Sequence, residues 1–327
     1  MSTETIPTAR HVRLRLLGGQ ALSRYGIVIA FFVLCGVLSG LNEYFFTQRN
    51  ITNVLRQASI NGILAIGQTF VILTGGIDLS VGSLVAVCGI LGALFVTGAN
   101  PAGPAVALIV GISAGAGFGV ISGALVGRLR VPAFVATLGM LSVARGLTFI
   151  SNDGMPVPNL AASFLILGQG FVAGVPVPVV LFGLAVLVAW ILLRFTTYGR
   201  YVYAVGGNER SARTSGIATR WIIFSVYVIS GALAGLSGLL LAARTTSALP
   251  QAGLSYELDA IAAVVIGGTS LTGGVGSVIG TMFGALIIAV ISNGLDLMGV
   301  SSYYQQVIKG AIIVLAVLLD TSRRARD

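Results

Sequence analysis

Charge is what this chain has least of. Of its 327 residues, 9% are Asp, Glu, Lys or Arg, against 56% hydrophobic and a mean hydropathy of +0.97. A soluble domain carries about 25% charged residues. A chain this poor in charge cannot keep its surface in water and is read as a polytopic membrane protein. Histidine is almost missing: His11, in the N-terminal tail, is the only one. That excludes a His-based nucleophile triad and leaves no donor set for zinc, so neither a catalytic residue nor a metal site is expected. Lysine is equally scarce. The single one, Lys309, sits in Gln306-Val307-Ile308-Lys309-Gly310-Ala311 with no glycine-rich loop before it, so there is no P-loop and no nucleotide hydrolysis by that route. The two cysteines, Cys35 and Cys88, both fall in apolar stretches. They give no disulfide framework and read as small hydrophobes.

What is present is apolar sequence in bilayer-length runs. Windows of about 20 residues mark spans at 22–41, 57–74, 80–98, 104–127, 132–150, 176–193, 221–242, 258–268, 276–295 and 303–319. The segment 160–175 is apolar but interrupted and is read as interfacial or re-entrant. The fold class is therefore an all-α integral membrane protein of about ten transmembrane helices. An even count puts both termini on one side, and the basic residues say which. With the N-terminus inside, Arg10, Arg13, Arg15, Arg24, Arg128, Arg130, Arg194, Arg200, Arg210, Arg213, Arg220, Arg323, Arg324 and Arg326 lie in inner loops and tails. Arg49, Arg56 and Arg244 lie outside, and Arg145 and Lys309 fall within spans. Such a bias makes both termini cytoplasmic. It also accounts for the net charge of +9 without nucleic acid, since no basic stripe with interleaved aromatics is present. The basic N-terminus resembles a signal peptide, but no small-residue cleavage site follows it, and the first helix is read as retained.

Glycine recurs every four residues at Gly111, Gly115, Gly119 and Gly123, continuing to Gly127, and again at Gly276, Gly280 and Gly284. In lipid there is no hydrophobic drive between helices, so close backbone approach must supply the contact, and these are read as packing glycines. Two further glycine-rich segments break the apolar runs: Gly75-Gly76-Ile77-Asp78-Leu79-Ser80-Val81-Gly82-Ser83 and Gly267-Gly268-Thr269-Ser270-Leu271-Thr272-Gly273-Gly274-Val275-Gly276-Ser277. By parity both lie at the cytoplasmic side, which gives short broken helices there. Backbone freed at such a break must face protein or water. Asp78 and Ser80 have two readings, a helix cap and a gate or partner contact.

The longest polar interruption is Arg194–Arg220, with five arginines and one acid, Glu209. Gly206 and Gly207 before it and Gly216 after it delimit a short helix. Glu209 and Arg213, four apart, can pair along that helix. Polar residues inside spans supply candidates for a solute pathway: Asn61 and Gln68, seven apart on one helical face, then Asp78, Ser80, Thr269, Ser270 and Asn293. Interhelical hydrogen bonding is the competing reading for them. Lys309 is close enough to the outer end of its span to snorkel. Arg145 has Asp153 or an external cavity within reach. Glu257 and Asp259 fall in a first helical turn, where the dipole favours acids.

GGIDLSVGS, GRYVYAVGGNERSARTSGI, YELDAIAAVVIGGTSLTGG and NGLDLMGVSSYYQQVIKGAIIVLAVLLD together resemble the permease subunit of bacterial monosaccharide ABC importers, over residues 45 to 320. The resemblance implies a pore in the inner membrane for ATP-driven uptake of a monosaccharide, foremost a ribose-like pentose. The implied partners are a cytoplasmic ABC ATPase that binds ATP and Mg²⁺, an extracytoplasmic sugar-binding protein and a second permease copy in a homodimer. This chain itself binds no cofactor and is not an enzyme. The loop 194–220 then resembles the coupling loop that docks on the ATPase, through Gly206, Gly207, Asn208, Glu209, Arg210, Arg213 and Gly216. The family pattern Glu-Ala-Ala…Gly is replaced here by Glu-Arg-Ser-Ala-Arg-Thr-Ser-Gly. The implied organisation is a cytoplasmic tail at 1–24, one transmembrane domain at 25–320 and a C-terminal tail at 321–327. A gradient-driven secondary transporter or channel for a small polar solute is the alternative.

Overall fold

The computed structural model describes residues 26–324. The arginines at positions 10, 13, 15 and 24, His11 and Arg326 lie outside them. The chain is built from helices, with one two-stranded hairpin. Helices α1 (Gly26–Leu41), α2 (Gln48–Leu73) and α3 (Val81–Ala93) are followed by α4 (Pro104–Gly123), which widens into a π-helical turn at Ala124–Arg128. Then come α5 (Ala133–Ile150), α6 (Ala162–Gln169), α7 (Val177–Phe195), α8 (Thr197–Gly207) and α9 (Glu209–Thr214). The last four are α10 (Thr219–Thr245), α11 (Tyr256–Ile266), α12 (Val278–Leu297) and α13 (Ser302–Arg324).

Among the described residues, five helices are long and apolar enough to cross a membrane: Pro104–Arg128, Ala133–Ile150, Val177–Phe195, Thr219–Thr245 and Val278–Leu297. Each coincides within a few residues with an apolar window. One window comes out shorter, and the short one at 258–268 keeps its length. The run expected at 80–98 is helical only over Val81–Ala93, about 20 Å at 1.5 Å per residue. The eleven residues of α11 reach about 17 Å. Both are half-helices that end inside the protein. The segment 160–175 forms the eight-residue α6 and a hairpin, β1 (Phe171–Val172) against β2 (Val175–Pro176). At about 12 Å α6 cannot cross a bilayer, as its interrupted hydropathy predicts.

Helices α2 and α10 form the centre. The stretch Ala58–Leu73 of α2 is buried on every side, so it shows no polar face. Around them, α4, α5 and α7 leave large apolar side chains exposed, among them Ile109, Phe134 and Leu184. On a chain that belongs in lipid, this is the solvent-matching surface. The glycine repeat of α4 lies against α10. A methyl on Gly115 would overlap the Gly231 carbonyl, one on Gly119 the Tyr227 carbonyl, and one on Gly123 would stand 2.6 Å from the Phe224 oxygen. Gly111 is closed instead by the Leu239 side chain. On α12, Gly280 and Gly284 press on the carbonyls of Gly267 and Ala263 in α11 and its C-terminal end. Gly276 departs from the expectation: it precedes the helix, whose N-cap is Ser277, and it packs on the Thr269 side chain.

Candidate functional site

The polar loop folds into two short helices with their own caps. Thr196 starts α8 by accepting from the Gly199 N–H at 3.2 Å. Asn208 starts α9 by accepting from the Ser211 N–H at 2.9 Å, so one orphan first-turn donor of each helix finds a side-chain partner. Glu209 and Arg213 pair along α9, and the Thr219 hydroxyl donates to Glu209 at 3.2 Å, tying α9 to the start of α10. Gly216, at φ +84°, takes the left-handed conformation that turns the chain out of α9. Of α9 only Ala212 is buried; Asn208, Arg210 and Arg213 are exposed. The Glu209–Arg213 pair is half-exposed and contributes little stability. Its polar, single-turn surface faces away from the bundle.

The C-terminal end of α8 does the opposite and is wedged inward. Gly206 sits against the Leu73 carbonyl at the end of α2 and the backbone of Gly274, with no room for a Cβ. The Gly274 N–H donates to that same Leu73 carbonyl at 3.0 Å. Gly207 lies on Gly274, and the Tyr203 hydroxyl donates to the Gly276 carbonyl at 3.0 Å. Gly273 and Gly274, at φ +87° and +75°, make the bend that permits this approach. Thus the loop and both helix breaks, far apart in sequence, meet at one end of the bundle.

The first break is held by side chains. Asp78 is buried and accepts from the Ser80 N–H (3.0 Å), the Ser80 hydroxyl (2.6 Å) and the Ser230 hydroxyl of α10 (2.9 Å). The Gln68 amide, oriented to satisfy both groups, bridges the N–H and carbonyl of Asp78 at 3.1 and 3.2 Å. Thr137 of α5 donates to the Ile77 carbonyl at 3.2 Å. Asp78 thus closes an Asx turn just ahead of α3, whose N-cap residue, Ser80, makes no side-chain cap bond of its own, and it adds a strut to α10. The second break is held by backbone: Ser270 N–H donates to Val275 O at 2.9 Å, the Ser270 hydroxyl contacts that of Thr272 at 3.0 Å, and Thr269 Oγ1 accepts from the Ser277 N–H at 3.4 Å.

The remaining pathway candidates are not gathered here. Asn293 exchanges hydrogen bonds with Asn50 (2.7 and 2.9 Å) near the start of α2, at the far end of the bundle. Asn61 lies within α2, its Oδ1 buried without a partner among the described residues. The two charges placed within spans have partners that local reasoning did not supply. Lys309 does not snorkel but donates to Asp259 at 2.9 Å. Arg145 donates to the Pro250 and Ala252 carbonyls at 2.8 and 3.1 Å rather than to Asp153. Sequence reasoning also missed Ser230, Thr137 and Tyr203. A lone hydroxyl within an apolar span was the available signal for the first two.

This arrangement carries no nucleophile–base pair. It is a tightly packed backbone junction with a short exposed helix beside it. A family model described as "Branched-chain amino acid transport system / permease component" matches residues 50–317. The ribose import permease of Bacillus subtilis is 45% identical to this chain, over 99% of it and 100% of the relative. The D-allose transport system permease of Escherichia coli is 38% identical, over 91% of each chain. The L-arabinose ABC transporter permease of Azospirillum brasilense is 36% identical, over 98% of this chain and 95% of the relative. No solved structure matches. With four-fifths of its length inside the family model and full-length relatives well above the threshold of chance likeness, the chain belongs to this family of membrane transport permeases.

Proposed function

We propose that the chain is the transmembrane permease subunit of an ATP-binding-cassette importer that takes up a monosaccharide, foremost a ribose-like pentose. Full-length identity of 45% to ribose import permeases, against a family description that names amino acids, favours sugar. In this reading about ten helices cross the inner membrane, with the tails 1–24 and 321–327 in the cytoplasm around the domain 25–320. Two copies form the pore. A sugar-binding protein docks outside, and a separate cytoplasmic ATPase binds ATP and Mg²⁺.

One observation carries the coupling role: α8 is wedged between both helix breaks while α9 beside it is exposed. Gly206 touches Leu73 and Gly274 through backbone atoms, which leaves no slack for a side chain to absorb. A push on α9 through Asn208, Glu209, Arg210 or Arg213 is passed by the rigid α8 to the ends of α2 and α11 together. Alternating access requires contacts that differ between two states, and a junction that moves two breaks at once is a means of switching them together. Gln68, Asp78, Ser80, Thr269 and Ser270 then act as the inner gate's framework rather than as solute ligands.

The test is affinity purification of the tagged permease in mild detergent, with uptake measured in parallel. An ATPase co-purifies, and Glu209→Lys loses it and the ATP-driven uptake while still inserting in the membrane. Normal ATP-driven uptake by Glu209→Lys, or transport by the chain alone under an ion gradient, would refute the assignment and favour a carrier or channel.

A further inference from the structure

At the end of the bundle opposite the α8 junction, the N-terminal turns of α2, α11 and α13 and the C-terminal turns of α12 surround a cavity of about 560 Å³. The size is that of small-molecule sites, roughly 300–1,000 Å³. Its lining is unusually polar for a membrane protein: Gln57, Asp259, Ser292, Gln305, Gln306 and Lys309 all face it. Some of this polarity is used internally. Lys309 donates to Asp259 at 2.9 Å, and Gln305 donates to Asp296 at 2.7 Å and to the Val300 carbonyl at 2.9 Å. The rest is not. Among the described residues, the side chains of Gln57, Ser292 and Gln306 have no hydrogen-bond partner, although Ser292 is only 3% exposed.

A buried polar group without a partner is costly, and Ser292 is one. The ligand that suits this lining must offer several hydroxyls and no net charge. The ammonium and carboxylate already neutralise one another, so a charged solute would have to break that pair. A polyol need not: it can donate to the carboxylate's remaining lone pairs and accept from amides and hydroxyl. Tyr256, also in the wall, adds an aromatic face of the kind on which a sugar ring's C–H face rests.

We propose that this cavity is the receiving site where a neutral aldose enters the permease, held by Gln57, Ser292 and Gln306 around the Asp259–Lys309 pair. It rests on the importer reading, in which this end faces outward and sugar arrives from the binding protein. It also places solute selection at the opposite pole from ATP coupling, away from the inner breaks.

The experiment is uptake by the complete transporter in proteoliposomes, per assembled complex, of pentoses differing at one hydroxyl. Gln306→Leu is the primary variant, because that side chain is exposed and makes no internal bond; Ser292→Ala is the second. We expect sub-saturating uptake to fall about tenfold for Gln306→Leu, the scale of losing one or two hydrogen bonds, and the ratio between epimers to change. A residue that merely supports the fold would not move that ratio. If both variants keep uptake within about twofold and the epimer ratio unchanged, the site is overturned while the importer reading stands. If the unmodified transporter moves amino acids and no pentose, the functional reading fails and this site falls with it.

Discussion

The two glycine-rich breaks are spelled alike, opening on a Gly-Gly pair and closing on Gly-Ser, yet they are held together by different forces. At 75–83 a buried carboxylate gathers Ser80 and Ser230 while Gln68 clamps its backbone. At 267–277 there is no buried charge. A backbone bond from Ser270 to Val275 and the Ser270 and Thr269 hydroxyls close the loop, and its contacts with α8, Gly273 and Gly274 on Gly206, are backbone on backbone. Side-chain hydrogen bonds are directional and fix one geometry. Backbone packing through glycine excludes a side chain and sets how closely two segments approach. The first break is therefore tied to α10 by side chains, and the second to α8 by close backbone packing and the bond from the Tyr203 hydroxyl to the Gly276 carbonyl.

The largest effect that would break this contrast is at the shared neighbour. Gly206→Val places branched carbons into the Leu73 carbonyl and the Gly274 backbone, neither of which can turn aside as a flexible side chain would. Overpacking a tight site costs about 1–3 kcal/mol or more. Here it must push α8 off both breaks, so ATP-driven uptake should fall to background even where the protein still inserts. The same residue at Gly207, whose Cβ would meet nothing, should leave uptake within about twofold; loss of uptake in both variants would show that α8 tolerates no change and that wedging is not the reason.

Next comes the anchor. Asp78→Ala removes the acceptor of three hydrogen bonds in a buried place and should lower the stability of the detergent-solubilised protein by roughly 3 kcal/mol, read as the shift in its unfolding midpoint. Asp78→Asn keeps the shape and one acceptor oxygen and should cost about 1 kcal/mol. If both cost the same, the carboxylate is not acting through this network.

How much of this could be read from the sequence divides along the range of the interaction. Helices such as α5, α7 and α12 were legible because apolar runs of bilayer length have few other uses. The breaks were legible because glycine and hydroxyl residues interrupt those runs. Helix α9 was legible from Gly206-Gly207 and Gly216 at its ends and Glu209 with Arg213 at one turn's spacing, although not its cap, Asn208. The half-length of α3 was not, since 94–98 stays apolar beyond the helix's last turn. Partners remote in sequence were also missed. Lys309 and Asp259 each received a local explanation, snorkelling and a helix dipole, because neither rule sees a charge fifty residues away. The meeting of Gly206 with Leu73 and Gly274 is invisible for the same reason, and the proposed coupling rests on it.

The smallest expected effect sharpens the contrast from the other side. In the second break the Ser270 hydroxyl contacts the Thr272 hydroxyl and accepts from the Thr272 N–H at 3.2 Å, while the Ser270 N–H supplies the bond that closes the loop to Val275. Ser270→Ala deletes the hydroxyl and keeps the backbone bond to Val275. Its cost should be about 1–2 kcal/mol, the net worth of two neutral hydrogen bonds, and uptake should be nearly unchanged. If Ser270→Ala destabilised the protein as much as Asp78→Ala, the second break would be a side-chain anchor like the first.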